Sequence, residues 1–205
     1  MKLYEIGAPN PRRVRIFLAE KNAEIESVTV DVMAGAHQTP AFLEKNSLGL
    51  LPVLELDDGT CITESVAICR YLESHYPEPP LLGMGPLQQA VVEMWNRRLE
   101  LGLFRSTADY FQHTIPFFKD KIAQLPAYAE TAKESARKHL DWLNGALADR
   151  KFLAGDDYTI ADITAQVALD LGTPSVFTVE PRHEHLSRWL SEVSARPSAR
   201  VLGKS

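Results

Sequence analysis

Glu64-Ser65 stands where a run that reads as a strand gives way to a run that reads as a helix. A serine at a helix start offers a hydroxyl and a free backbone N–H, with the positive end of the helix dipole behind them. That combination suits a carboxylate, and Glu64 beside it suits an ammonium. The competing reading is that Ser65 only caps its own helix. Asn10-Pro11 reads as a second such terminus, an N-cap side chain followed by a proline at the first helical position. His113, near the end of a long helical stretch that also carries Ser106 and Tyr110, has the pKa range of a general base. It equally suits the negative end of its helix dipole. Cys61 and Cys69 have neither CxxC nor metal-ligand spacing, so no metal site is expected and both read as small buried thiols.

The elements that must position these groups alternate in the first half of the chain. Lys2–Ile6 predicts a strand, 11–21 an amphipathic helix, and the alternating Val28, Val30 and Val32 a second strand. Thr39-Pro40 opens a short helix that closes near Asn46. Val53–Leu56 and Cys61-Ile62 flank an Asp-Asp-Gly-Thr hairpin turn, and 65–75 is helical. The order β-α-β-α-β-β-α implies a four-stranded mixed sheet, because the opening βαβ unit gives a parallel pair and the hairpin an antiparallel one. Tyr4 reads as a core or half-buried strand residue, and Arg12, Arg13 and Arg15 as a solvated face, as partners of an anion or as a contact between copies of the chain.

Pro77-Glu78-Pro79-Pro80, with Gly83, Gly85 and Pro86 after it, is the linker candidate. Beyond it strand signals nearly vanish. Helical spacing runs over 87–113, 129–147 and 183–195, and Thr159-Ile160-Ala161-Asp162 is a capping-box start. Trp142 and Trp189 read as helix–helix core. The fold class is therefore an α/β domain over 1–80 followed by an all-α domain over 87–205.

The 205 residues carry 22 Lys+Arg against 27 Asp+Glu, a net charge of −5 that argues against a nucleic-acid partner. No apolar run reaches the ~20 residues a membrane span needs, and the opening Met-Lys-Leu-Tyr-Glu lacks the apolar core of a signal peptide. With two unpaired cysteines, a reducing cytosol is the expected compartment.

Four segments in register resemble the glutathione transferase family: Asn10-Pro11-Arg12-Arg13-Val14-Arg15-Ile16, Gly49-Leu50-Leu51-Pro52-Val53-Leu54, Thr63-Glu64-Ser65-Val66-Ala67-Ile68, and Phe152–Asp156 running into Thr159–Asp162. The resemblance implies a thioredoxin-like first domain, a helical second domain, a homodimer and a detoxifying enzyme. It would join glutathione thiolate to a hydrophobic electrophile, with glutathione as co-substrate and no covalently bound cofactor. Ser65 and Glu64 would then take the γ-glutamyl carboxylate and ammonium. A cis Leu51-Pro52 would turn the Leu51 backbone toward the cysteinyl residue. His37 would contact the glycine carboxylate. The helix at Trp95, Arg97 and Arg98 would form the dimer contact and one wall of the electrophile pocket, to which Tyr110 and His113 would also belong. A lysine common before Leu51 in theta-like members is Leu50 here.

The thiol is the chemical difficulty. A free thiol near pKa 8.5 is only a few per cent ionised at pH 7, and lowering it by about two units takes roughly 2.7 kcal/mol. One charge-assisted hydrogen bond supplies about 1.5–3 kcal/mol. Many family members place a Tyr, Ser or Cys at the end of the first strand, but that position falls on Ala8. The substitutes are Asn10 with the backbone N–H groups of Arg12 or Arg13, or a water held by Ser106, Tyr110 and His113, as the resemblance to an atypical bacterial and fungal subgroup implies. The missing hydroxyl also leaves open glutathione-dependent peroxide reduction or isomerisation, and a non-catalytic interaction protein.

Overall fold

The computed structural model describes residues 1–201. The chain divides into two compact units, Met1–Leu81 with the described residues from Arg196 on, and Leu82–Ala195.

In the first unit, β1 (Lys2–Glu5) pairs in parallel with β2 (Glu26–Thr29) and antiparallel with β3 (Val53–Glu55), and β3 pairs antiparallel with β4 (Cys61–Thr63). The sheet order β2-β1-β3-β4 is the mixed four-stranded sheet the sequence implies. β2 starts earlier than the alternating valines suggest, because the register sets Glu26 opposite Lys2 and Ser27 opposite Leu3. That register brings Ser27 and Arg15 onto the carboxylate of the buried Glu5. Helices α1 (Pro9–Glu20), α2 (Pro40–Leu43) and α3 (Ser65–His75) complete the unit. Val14, Ile16 and Phe17 of α1 and Ile68 and Leu72 of α3 are fully buried, as their helical spacing demands.

Two features differ from the sequence expectation. α1 begins at Pro9 with Ala8 as its N-cap, so Asn10 lies inside the first turn and caps nothing. The residues from Arg196 on belong to the first unit: Arg196 and Ser198 hydrogen-bond to Glu20, and Arg12 donates to the Ala199 carbonyl at 3.1 Å.

The second unit is all-helical: α4 (Gly85–Leu99), α5 (Arg105–Thr114), α6 (Pro126–Ala146), α7 (Ile160–Gly172) and α8 (Glu184–Ser194). The stretch expected as one helix over 87–113 is interrupted by a π turn at Glu100–Phe104. Gly102 sits there with the His139 ring against it; a Cβ would stand 2.3 Å from His139 Nε2. Almost all of α7 is buried. Its Asp162 accepts from the backbone N–H of Leu153 and Thr159, each at 3.0 Å, and from the Trp189 indole at 2.8 Å. Trp189 is core as expected. Trp142 is not: its ring stacks on Trp95 at 5.5 Å but is 38% exposed. Among the described residues no helix is long and apolar enough to cross a membrane.

Candidate functional site

The sheet register gathers the first unit's candidate residues at one edge. Val53 lies opposite both Tyr4 and Thr63, and both pairings are antiparallel. The entrance to β3 at Leu51-Pro52, the exit from β4 at Glu64-Ser65 and the exit from β1 toward Ala8 and α1 therefore share one end of the sheet. His37 joins them through its neighbours. Ala36 and Leu51 pack on the same cluster of Val30, Phe42 and Val53.

Each group has a local cause for its position. His37 lies in a single 3-10 turn, Ala36–Gln38. A Cβ on Gly49 would stand 2.3 Å from the Gln38 amide nitrogen and 3.0 Å from the His37 carbonyl, and its φ of +61° also favours glycine. The half-buried His37 ring has its Nδ1 buried without a hydrogen-bond partner among the described residues. Asn46, which the sequence marks only as a helix end, shapes the next loop. It accepts the Leu48 N–H through its side chain and donates to the Leu50 carbonyl at 2.8 Å. The Leu51-Pro52 peptide is cis, as the resemblance implied. Neither the N–H nor the carbonyl of Leu51 takes part in a backbone hydrogen bond among the described residues.

Ser65 is buried at the first position of α3, and its Oγ accepts from the Arg13 guanidinium at 2.7 Å. It does not cap its own helix. The N-cap is Glu64, which makes no side-chain cap and holds a φ of +64°. A non-glycine residue in that region is uncommon and concentrates at functional sites. The first intrahelical bond at this end runs from Ile68 N–H to the Glu64 carbonyl, so the N–H groups of Ser65 and Val66 face outward unbonded.

The mouth of α1 is sparser. Pro9 and Pro11 have no N–H, and Arg12 N–H already bonds to the Ala8 carbonyl. Ala8 N–H bonds to the Ile6 carbonyl at 2.8 Å. The remaining donors are the Asn10 backbone N–H and its exposed side-chain amide. The backbone N–H of Arg12 is thereby removed as a thiol partner. Arg12, Arg13 and Arg15 bond to Ala199, Ser65 and Glu5, so none is merely a solvated face. Sequence reasoning missed Arg13 because its partner lies 52 residues away.

The second unit's candidates are disposed differently. His113 Nδ1 accepts the Leu125 backbone N–H at 3.1 Å, and its ring meets Tyr128 edge-on at 4.9 Å between centroids. With the Nδ1 lone pair committed, the neutral ring carries its proton on Nε2 and has no free nitrogen to accept another. The geometry thus makes His113 a brace for the segment after α5 and speaks against the base role. Ser106 Oγ donates to Ser135 Oγ at 3.0 Å. Tyr110 is half-buried, with the Lys133 ammonium 5.3 Å from its ring centre. Cys69 is fully buried and desolvation pushes its thiol up to about 12, which leaves it inert.

The mixed sheet with its three helices, joined to an all-helical unit, defines a thioredoxin-like domain followed by a helical domain. Residues 1–74 match the family described as glutathione S-transferase, N-terminal domain, and residues 107–197 its C-terminal counterpart. Glutathione S-transferase 2 of Saccharomyces cerevisiae is 35% identical, over 98% of this chain and 89% of that relative. A solved glutathione S-transferase domain-containing protein from Marinobacter aquaeolei superposes with a TM-score of 0.91 at 42% identity, covering 97% of this chain and 99% of the other. A Gtt2-class transferase from Vibrio parahaemolyticus superposes at 0.83 with 34% identity, covering 98% and 96%. The chain belongs to the glutathione S-transferase family.

Proposed function

We propose that the protein joins glutathione thiolate to a hydrophobic electrophile, with the sheet-bearing unit Met1–Leu81 as the glutathione-binding domain and Leu82–Ala195 as its helical companion. The observation that carries this reading is the open N-terminus of α3. A buried serine hydroxyl and unbonded N–H groups meet there, at the same sheet edge as the unpaired Leu51 backbone. A γ-glutamyl tripeptide matches this arrangement group by group. Its α-carboxylate accepts from Ser65 and the N–H groups at the α3 mouth, and its ammonium pairs with Glu64. Its cysteinyl backbone bonds to Leu51, held in place by Pro52, and its glycine carboxylate takes His37.

The sulfur then falls to Asn10. One charge-assisted hydrogen bond contributes about 1.5–3 kcal/mol and the helix terminus about 0.5–2 kcal/mol, together near what a two-unit drop in thiol pKa needs. The thiolate attacks the electrophilic carbon, a C–S bond forms and the leaving group departs with its electron pair. Tyr110, with no hydrogen-bond partner on its phenol among the described residues, is proposed for the electrophile pocket.

A homodimer accompanies this reading. Leu87, Met94 and Leu101 repeat every seven residues along α4 and the π turn, and each is exposed, a stripe that a second copy would cover. Quenching of tryptophan fluorescence by glutathione, followed by turnover of a chloronitrobenzene electrophile, tests the whole proposal. Saturable binding with conjugation is expected, and no binding up to about 10 mM contradicts it.

A further inference from the structure

Arg13 is an arginine in the first turns of a helix, where a cation opposes the dipole, yet it is fully buried. Its Nη1 donates to Ser65 Oγ at 2.7 Å, across 52 residues of sequence. A guanidinium has five donors and no acceptor. Ser65 Oγ must therefore accept from it, and the serine's own O–H cannot point back at Arg13. The proton is therefore not spent on Arg13, and the neighbouring N–H groups of Ser65 and Val66 are also unbonded.

We infer that Arg13 is a positioning residue. It fixes Ser65 as a donor toward the ligand and so presets the α3 mouth for the α-carboxylate of a γ-glutamyl peptide. The inference rests on the glutathione reading above and adds a residue that touches no substrate. A hydroxyl that would otherwise sample three rotamers is barred from the one that points at Arg13. Its benefit is therefore to affinity for the carboxylate and not to the chemical step at sulfur.

The test is a double-mutant cycle on the full chain. Arg13→Gln, whose side chain accepts as readily as it donates, should raise the KM and Kd for glutathione about five- to tenfold. Its kcat at saturating glutathione should stay within about twofold. Arg13→Lys, which keeps a donor-only cation, should recover most of that loss. In a Ser65→Ala background neither substitution should change glutathione affinity by more than about twofold. Equal losses in both Ser65 backgrounds, or a fall in kcat with KM unchanged, overturn the inference. If Arg13→Gln does not fold, Arg13→Lys decides: whatever affinity it loses must vanish in Ser65→Ala, and a loss that persists there overturns the role. Ser65→Ala alone tests the underlying reading. If it leaves glutathione binding unchanged, the site assignment itself fails. A strong Ser65 effect with an additive Arg13 effect defeats only the positioning role.

Discussion

The N-termini of α3 and α7 are built from the same parts and put to opposite uses. At α7, Thr159 and Asp162 close a capping box, and Asp162 also collects the Leu153 N–H and the Trp189 indole, so donors there are consumed inside the protein. Burial pushes the Asp162 carboxyl up, against the pull of those hydrogen bonds. At α3 no side chain caps the helix, the N-cap residue is held at positive φ, and a buried arginine occupies the acceptor side of the one hydroxyl present. A helix end that satisfies itself is a structural joint, whereas one kept open beside a fixed cation is an anion site. The α1 terminus lies between them, stripped by two prolines to the donors of Asn10.

The contrast can be broken in order of expected size. Asp162→Ala should cost about 4 kcal/mol of stability by leaving four buried donors without their acceptor, read by urea unfolding, while folded protein keeps its glutathione affinity. Ser65→Ala should do the reverse, weakening glutathione about ten- to a hundredfold in a fluorescence titration with its midpoint of unfolding little changed. If Ser65→Ala instead destabilises the fold and spares binding, the two termini do the same job. Asn10→Ala should raise the bound thiol's pKa by about one unit, followed by thiolate absorbance near 240 nm. His113→Ala should leave that titration unmoved, and a shift there would return the base role to α5.

The far end of α1 gives the smallest effect. Burial raises the Glu20 carboxyl, but hydrogen bonds from Arg196 and Ser198 and the Arg196 charge outweigh it and hold it below its ordinary 4.5. Stability from this clamp is complete above that value and is lost as pH falls through the lower folded value. Acid should therefore free the residues around Arg196 before the sheet unfolds, and Glu20→Gln should abolish that step in hydrogen exchange.

Local signals made much of this legible from the sequence. The Thr159–Asp162 box, the Asp-Asp-Gly-Thr hairpin and the strand order each declare themselves within a few residues. Glu64-Ser65 could be placed at a strand-to-helix junction, but the uncapped Glu64 at positive φ and the hydrogen bond from Arg13, which separate an open site from an ordinary cap, could not be read there. What stayed hidden depends on distant partners. Arg13 looks like a surface cation until Ser65 is folded against it, and His113 looks like a base until the Leu125 N–H occupies its lone pair. The α1 start was misplaced by two residues because Pro9 and Pro11 are equally good first-turn residues and Ala8 carries no capping side chain.

Titrating the protein with glutathione and with glutathione amidated at its γ-glutamyl α-carboxylate alone asks whether the open mouth of α3 takes that carboxylate. The amide should bind at least about tenfold more weakly; equal affinity for the two would rule that mouth out as the carboxylate site.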